Sequence, residues 1–408
     1  MTKSHCIIGF LGSDSIHKND QFKFPFEKIE PAVSTLTHIL YGPAFLSSSN
    51  SLTPPHPDDI DSNNKEGTYR KVTALKKLNP QLKVLLSVGR RDYDETRTEQ
   101  YVNFLANEKA RAGFIEDALQ IVKKYGFDGI DLAWEFPRYR KNPIMSFISS
   151  VLGGENVVKS NFSIFVRELK EKFGDLIVTV TALPNQKYIE DFYDVPAIQP
   201  FVQYIIVSTY DYCTPKDNPL TADFSAPLYT PKNRKQSVDV SVSKWRSAGV
   251  QDNKLVIGLP TFGRSWVLGD NMVTFKSVKV ENQEPPFNAN GPTPPGKRTG
   301  VEGQVALVGA RERLSNPSNV HLVGSDAPLQ EFTNHAYEHG TYAINTNISG
   351  GDFISYETPE SATCKAEYVQ KKGLAGIALF NIELDDYNGE KYVVKYPLLN
   401  AVSKQFRL

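Results

Sequence analysis

The run Phe127-Asp128-Gly129-Ile130-Asp131-Leu132-Ala133-Trp134-Glu135-Phe136-Pro137 carries the residues of this chain best placed to do chemistry. It reads as a buried strand running into a loop. Residues i, i+2 and i+4 of a strand share a face, so Asp131, Ala133 and Glu135 point the same way. A ladder of inward acids at a strand end suits proton transfer and charge stabilisation. Its middle rung here is a methyl group, so the set is incomplete. Trp134 adjoins the ladder on the opposite face. It is a substrate-binding candidate whose plainer reading is packing.

The chain that must position these residues is 408 residues long, with 46 basic and 46 acidic side chains. That is enough for one large barrel or about two to three ordinary domains. The balanced charge argues against nucleic acid as a partner and against electrostatic attachment to anionic membranes. No apolar run approaches a membrane span, so no membrane insertion is expected. Met1-Thr2-Lys3-Ser4-His5-Cys6 goes almost directly into a strand-like run, without a visible signal peptide. Cys6, Cys213 and Cys364 are too few and too dispersed for a disulfide scaffold; at least one is free, and they show no metal-type spacing. Two sequons, Asn161-Phe162-Ser163 and Asn347-Ile348-Ser349, mildly favour a secreted glycoprotein.

Short apolar runs alternate with segments of helical period. The expected strands are Cys6–Gly12, Thr37–Tyr41, Lys83–Val88, Gly126–Leu132, Leu176–Thr181, Tyr204–Thr209, Lys254–Leu259 and Leu374–Phe380. They are uninterrupted rather than alternating, as in parallel strands covered on both faces. Phe114, Ala118, Val122 and Tyr125 form one helical stripe; Phe165, Leu169 and Phe173, ended by Gly174, form another. Eight strands alternating with helices predict an α/β fold of the (β/α)8 TIM-barrel type. A doubly wound sheet would need a glycine-rich phosphate turn, which Gly9-Phe10-Leu11-Gly12-Ser13 matches poorly. Between Trp266 and Ile354 the rhythm breaks around a Pro/Gly-rich patch, Glu284 to Gly296. We read a small α+β insertion domain there, at 266–353, between barrel parts 1–265 and 354–408. A second insertion, Arg138 to Lys159, falls on the loop after the acid motif and is expected over the active face.

Ligands of a parallel barrel meet the C-terminal strand ends. Asp128, Asp131 and Glu135 lie there, with Tyr210-Asp211 of the sixth strand, Gly263-Arg264 after the seventh, and Phe380-Asn381-Ile382-Glu383 of the eighth. Acids, aromatic faces and an arginine around a barrel mouth suit a sugar polymer. Asp128 has a plainer reading as a structural acid, being further from the mouth.

Asp128-Gly129-Ile130-Asp131-Leu132-Ala133-Trp134-Glu135 resembles the D-G-x-D-x-D-x-E signature of family 18 glycoside hydrolases, the chitinases, departing only at Ala133. Ser87-Val88-Gly89 resembles the family's S-x-G-G, with Arg90 for the second glycine. Tyr210-Asp211 and Gly263-Arg264 match its Y-D and G-R. The chain is still more similar to the insect imaginal disc growth factors, a chitinase-like branch. The shared segments are Gly129 to Pro137, Tyr210 to Pro215 with Ala222 to Pro227, Leu314 to Pro317 with Asp326 to Leu329, and Tyr356 to Pro359 leading into Lys365 to Val369.

The resemblance implies roles. The acid at Glu135 protonates the glycosidic oxygen, and the substrate's own acetamido oxygen is the nucleophile. The acid at position 133 holds the acetamide, Asp131 supports it, Tyr210 hydrogen-bonds it, and an aromatic at Phe380 floors the pocket. Ala133 cannot orient an acetamide. Losing one such element costs on the order of 10²–10³ in rate. Arg90, Phe380 in place of tryptophan, and Ile7-Ile8 in place of tyrosines point the same way. Glu135, often lost in the growth-factor branch, is kept. Leu36 stands where relatives have the disulfide partner of Cys6.

His335-Ala336-Tyr337-Glu338-His339 matches an inverted zinc-protease pattern, but Gly340 follows at once, so no metal is expected from it. No cofactor is expected. The resemblance leads to a chitinase-like protein, leaning away from an enzyme, that binds N-acetylglucosamine oligomers or glycoprotein glycans. Its expected setting is extracellular, as a monomer with a growth-factor or cuticle-related role and a cell-surface receptor. A weak chitinase or N-acetylglucosaminidase using Glu135 is the alternative.

Overall fold

Eight parallel strands close into a barrel. In the computed structural model they are β1 (Cys6–Gly12), β2 (His38–Leu46), β3 (Lys83–Val88), β4 (Gly129–Leu132), β5 (Ile177–Ala182), β6 (Tyr204–Val207), β7 (Leu255–Pro260) and β8 (Gly376–Phe380). Each pairs with its sequence neighbour, and β8 pairs back onto β1, so no edge remains. The structure describes residues 5–89, 95–134, 157–231, 233–269, 285–296, 298–310, 330–333, 340–344 and 352–408.

The strands read as unbroken apolar runs because both faces are covered. Ile8, Leu40, Leu85, Ile206, Val256 and Ala378 fill the barrel interior. Ile7, Ile39, Leu86, Ile130, Val180, Ile257 and Ile377 pack outward against the helices. Helix Glu108–Tyr125 buries the expected stripe of Phe114, Ala118, Val122 and Tyr125. Asn107 caps it by accepting from the Ala110 N–H at 3.0 Å. Gly126 ends it at φ +73°, in the left-handed region where glycine is unstrained. That cap explains why β4 begins at Gly129 rather than at Gly126. Helix Val157–Phe173 buries Phe165, Leu169 and Phe173.

Between β7 and β8 the described residues form an antiparallel sheet. Phe262–Leu268 pairs with Phe287–Pro292, Gln304–Ala306 and Asp352–Tyr356, and Thr341–Ile344 joins the last of these to Gln330–Thr333. It has its own small core of Phe224, Trp266, Leu268, Phe287, Tyr342 and Phe353. Its first strand begins only two residues after β7 ends, so it stands beside the strand-end face of the barrel.

Candidate functional site

Strands β3, β4 and β5 build one polar layer inside the barrel. Ser87, Asp131 and Thr179 are register partners across the three strands. Ser87 Oγ donates to Asp131 Oδ2 at 2.8 Å, and Thr179 Oγ1 donates to Oδ1 at 2.7 Å. Thr181 Oγ1 lies 3.1 Å from both oxygens. Asp131 is fully buried, and that burial pushes its carboxyl above the usual range, while the hydroxyl donors pull the other way. Thr179 and Thr181 were not singled out in the sequence. Their signal is a period-two polar pattern in an otherwise apolar strand.

Ala133 lies two residues on, toward the mouth, and is buried. Its N–H donates to Val88 O at 2.8 Å. Gly89, at φ +96°, closes in from β3: a Cβ there would meet the Ala133 carbonyl oxygen at 2.8 Å. The methyl of Ala133 offers no acceptor above Asp131.

Trp134 requires a correction. Its ring stacks on Phe165 at 4.9 Å and 5°, with Tyr101 at 4.8 Å and Phe104 at 5.7 Å. Those residues sit on the helices outside the barrel, so Trp134 packs between barrel and helices, where a sugar bound at the mouth does not reach. The period-two rule placed it outward; its nearness to the ladder in sequence does not bring it to the ligand.

Across the mouth, Tyr210, Phe380, Phe10 and Phe262 form a continuous aromatic surface. Tyr210 lies 5.4 Å from Phe380 and 5.8 Å from Phe262, and Phe380 stacks on Phe10 at 5.4 Å. Each keeps between 6% and 8% exposure, unlike the fully sealed barrel interior below them. Gly258 in β7 makes room for Tyr210, since a Cβ there would stand 2.9 Å from its ring. Phe10 was not recognised in the sequence, although it lies two residues beyond inward-facing Ile8. Asp211, at φ +59°, is held by Arg264, whose Nε and Nη2 each donate to one carboxylate oxygen at 2.7 Å. The same guanidinium lies 4.8 Å from the Phe262 ring centroid.

Beside this surface, Glu383 turns into the end of β1. Its Oε1 accepts from Ser15 Oγ at 3.0 Å, Asn381 Nδ2 at 3.1 Å and Gly12 N–H at 3.3 Å. Its Oε2 is buried with no hydrogen-bond partner among the described residues. Burial pushes this carboxyl up to about 7.

Asp128 lies at the opposite end of β4. It accepts from the Val84 N–H at 2.8 Å and from Lys76 Nζ at 3.1 Å, a structural role. Cys6, Cys213 and Cys364 form no disulfide with one another. Burial pushes the Cys6 thiol up to about 12, which leaves it unreactive. Leu36 is buried beside Gly9. The first sequon lies inside helix Val157–Phe173, with Phe162 fully buried and Ser163 Oγ donating to Lys159 O at 3.0 Å. Glu135, Arg90, the Arg138–Lys141 cluster, His335 to His339 and Asn347 lie outside the described residues.

The family model of glycosyl hydrolases family 18 matches residues 6–385. Chitinase-like protein Idgf4 of Glossina morsitans morsitans is 33% identical over 99% of this chain and 94% of its own length. Imaginal disk growth factor 6 of Drosophila melanogaster is 31% identical over 98% of this chain and 93% of its own. The Ostrinia furnacalis Group IV chitinase in complex with allosamidin superposes with a TM-score of 0.80 at 27% identity, over 98% of both chains. Human YKL-39, a pseudo-chitinase with retained chitooligosaccharide binding, shares the fold with a TM-score of 0.79 at 20% identity, over 99% of this chain and 100% of its own. With a match that runs almost end to end and a closed barrel whose fourth strand carries Asp131 and leads into Ala133 toward the mouth, the chain belongs to the glycosyl hydrolases of family 18.

Proposed function

We propose that this protein is a non-hydrolysing, chitinase-like binder of N-acetylglucosamine oligomers or of glycoprotein glycans. The observation that carries the reading is Ala133. Asp131 is committed to three hydroxyl groups, and the position above it offers a methyl where an acetamide needs an acceptor and a developing positive charge needs an anion. The aromatic surface of Phe10, Phe380, Tyr210 and Phe262 remains suited to stack on sugar rings. Its likeness to a chitinase in complex with allosamidin and to insect chitinase-like proteins supports the ligand class. Along the chain we assign the segment between β7 and β8 to the insertion domain and the rest to the barrel; the strands Phe262–Leu268 and Asp352–Tyr356 carry that domain a few residues past the expected 266–353 at each end. An extracellular monomer acting in growth or cuticle assembly, through a cell-surface receptor, is the setting that fits the relatives.

A weak glycosidase is the second reading, and it is favoured by the retention of Glu135 in the sequence. Two measurements separate them. The purified protein is expected to show negligible hydrolysis of a fluorogenic chitotriose, and saturable heat on calorimetric titration with chito-oligosaccharides. Turnover comparable to an active chitinase, abolished by Glu135→Gln, overturns the first reading. Absence of binding heat, with no shift in melting temperature, removes the binding role. Tryptophan fluorescence is a poor probe here, because Trp134, Trp245 and Trp266 are all buried away from the aromatic surface.

A further inference from the structure

A cluster on the strand-end face has no part in the site above. Helix Ser13–His17 follows β1 directly and carries His17, whose side chain is 10% exposed. The loop after β2 brings His56 and Asp58 against it, with side chains 38% and 52% exposed. Beneath them lies Asp59, fully buried. Asp59 accepts from Ser13 Oγ at 2.8 Å, from the His56 N–H at 3.0 Å and from the Tyr41 hydroxyl. Its Oδ1 lies 3.0 Å from His17 Nε2, and Thr68 Oγ1 lies 3.2 Å from the same nitrogen. A carboxylate at that distance accepts a hydrogen bond from Nε2–H, and in that tautomer Nδ1 of His17 carries the lone pair. This is the arrangement of a histidine prepared as a metal ligand, its tautomer and ring fixed by a buried acid behind it.

We propose that His17, His56 and Asp58 form a divalent-metal site, with Asp59 as the residue that orients His17. One ring nitrogen from each histidine and one carboxylate oxygen of Asp58 already lie within 4.8 Å of one another. Ligands about 2.0–2.2 Å from a tetrahedral ion stand roughly 3.3–3.5 Å apart, so the most widely separated pair closes by up to about 1.5 Å on binding. His17 is held, whereas half-exposed His56 and Asp58 are free to make that adjustment. The rings of His17 and His56 stack at 4.2 Å and 6°, and an ion cannot lie in both planes while they are parallel. Binding therefore turns the His56 ring out of the stack and gives up its bond from the Asp58 N–H. Two imidazoles and one carboxylate, with further positions open to water, select Zn²⁺ or Co²⁺ over Ca²⁺ or Mg²⁺, which prefer all-oxygen shells.

The test is calorimetric titration of the full chain with Zn²⁺, and with Co²⁺ followed by its visible absorption. The wild-type protein is expected to bind one equivalent of Zn²⁺ and to give the bands of a low-coordinate nitrogen and oxygen site. His56→Ala and Asp58→Ala alter exposed side chains, so both are expected to fold. Each is expected to weaken binding at least tenfold while the metal-free melting temperature changes little. Ca²⁺ is expected not to compete. No stoichiometric binding overturns the proposal. So does binding that survives both variants, or that is lost instead in His335→Ala with His339→Ala or in Cys213→Ser, since the ion would then sit elsewhere. His17→Ala is a stronger but riskier variant, because it also removes a partner of buried Asp59.

Discussion

Arg264 grips Asp211 through two parallel hydrogen bonds, Nε to Oδ1 and Nη2 to Oδ2, both 2.7 Å long. The side chains are 12% and 5% exposed, so the pair is nearly desolvated. Breaking such a pair from one side strands a charge and costs about 3–5 kcal/mol. Arg264→Met is therefore expected to lower unfolding stability by about that much in urea denaturation. Arg264→Met with Asp211→Asn is expected to recover part of the loss, since no buried charge is then left behind. Asn is the replacement to use, because it tolerates the left-handed backbone at position 211. A single variant as stable as the wild type would make the pair a surface contact of little consequence.

Restoring the missing acid is the direct test of the barrel mouth. Ala133→Asp places a carboxylate on the same strand face as Asp131, two residues away. Like charges at that spacing raise one another's pKa, and the site is buried, so the melting temperature is expected to fall by several degrees. Hydrolysis of the fluorogenic chitotriose is expected to rise by on the order of 10², provided that Glu135 still donates its proton. The double variant with Glu135→Gln is expected to abolish that gain. A stable Ala133→Asp protein with no gain would place the obstruction elsewhere, with Arg90 and the Arg138–Lys159 insertion the first segments to test.

The barrel was legible in the sequence because parallel strands announce themselves. Cys6–Gly12 and Lys83–Val88 occupy the expected bounds, since every residue within them is apolar or abuts another strand. Elsewhere the boundaries moved for local reasons, such as the glycine cap at Gly126. The site was legible only where its residues share a strand. Asp131 and Ala133 are two apart in sequence, so a period of two exposes them. Thr179 lies 48 positions away and meets Asp131 through strand register, which no linear pattern displays. His17, His56 and Asp59 come together for the same reason, from two different strand ends. Trp134 shows the converse: adjacency in sequence put it beside the ladder, and the alternation of a strand put it outside the barrel.

His38 predicts how the fold responds to acid. It sits at the start of β2, 6% exposed, with Nδ1 2.8 Å from Thr37 Oγ1 and its ring edge-on to Tyr204. Burial lowers its pKa from 6.5 to about 4; nearby Asp128 raises it and Lys83 lowers it. The unfolded chain therefore takes up this proton first as the pH falls. The stability held at neutral pH is lost between 6.5 and about 4, by up to about 3 kcal/mol. His38→Gln cannot accept the proton. Its unfolding free energy is expected to vary less across that window than the wild type's in urea titrations at a series of pH values. An unchanged slope would show that other groups govern acid unfolding.

Glu383 works in the opposite direction. Its folded pKa is raised from 4.5 to about 7, so the folded protein holds the proton more tightly than the unfolded chain. Stability is then greatest below about 4.5 and is lost as the pH rises through 7, by up to about 3 kcal/mol. Glu383→Gln keeps an acceptor for Gly12 N–H, Ser15 Oγ and Asn381 Nδ2, and it removes the charge from a site where Oε2 has no hydrogen-bond partner among the described residues. The variant is expected to match the wild type near pH 5 and to exceed it in unfolding free energy by about 1–3 kcal/mol at pH 8. Asp385, also pushed up to about 7, mainly by burial, continues to weaken the fold as the pH rises, so part of the slope survives. Denaturation midpoints of wild type and variant at pH 5 and pH 8 check this. A Glu383→Gln protein less stable at pH 8 would mean that the ionised carboxylate is held by a favourable partner, and that its burial is a designed charge at the mouth rather than a tolerated cost.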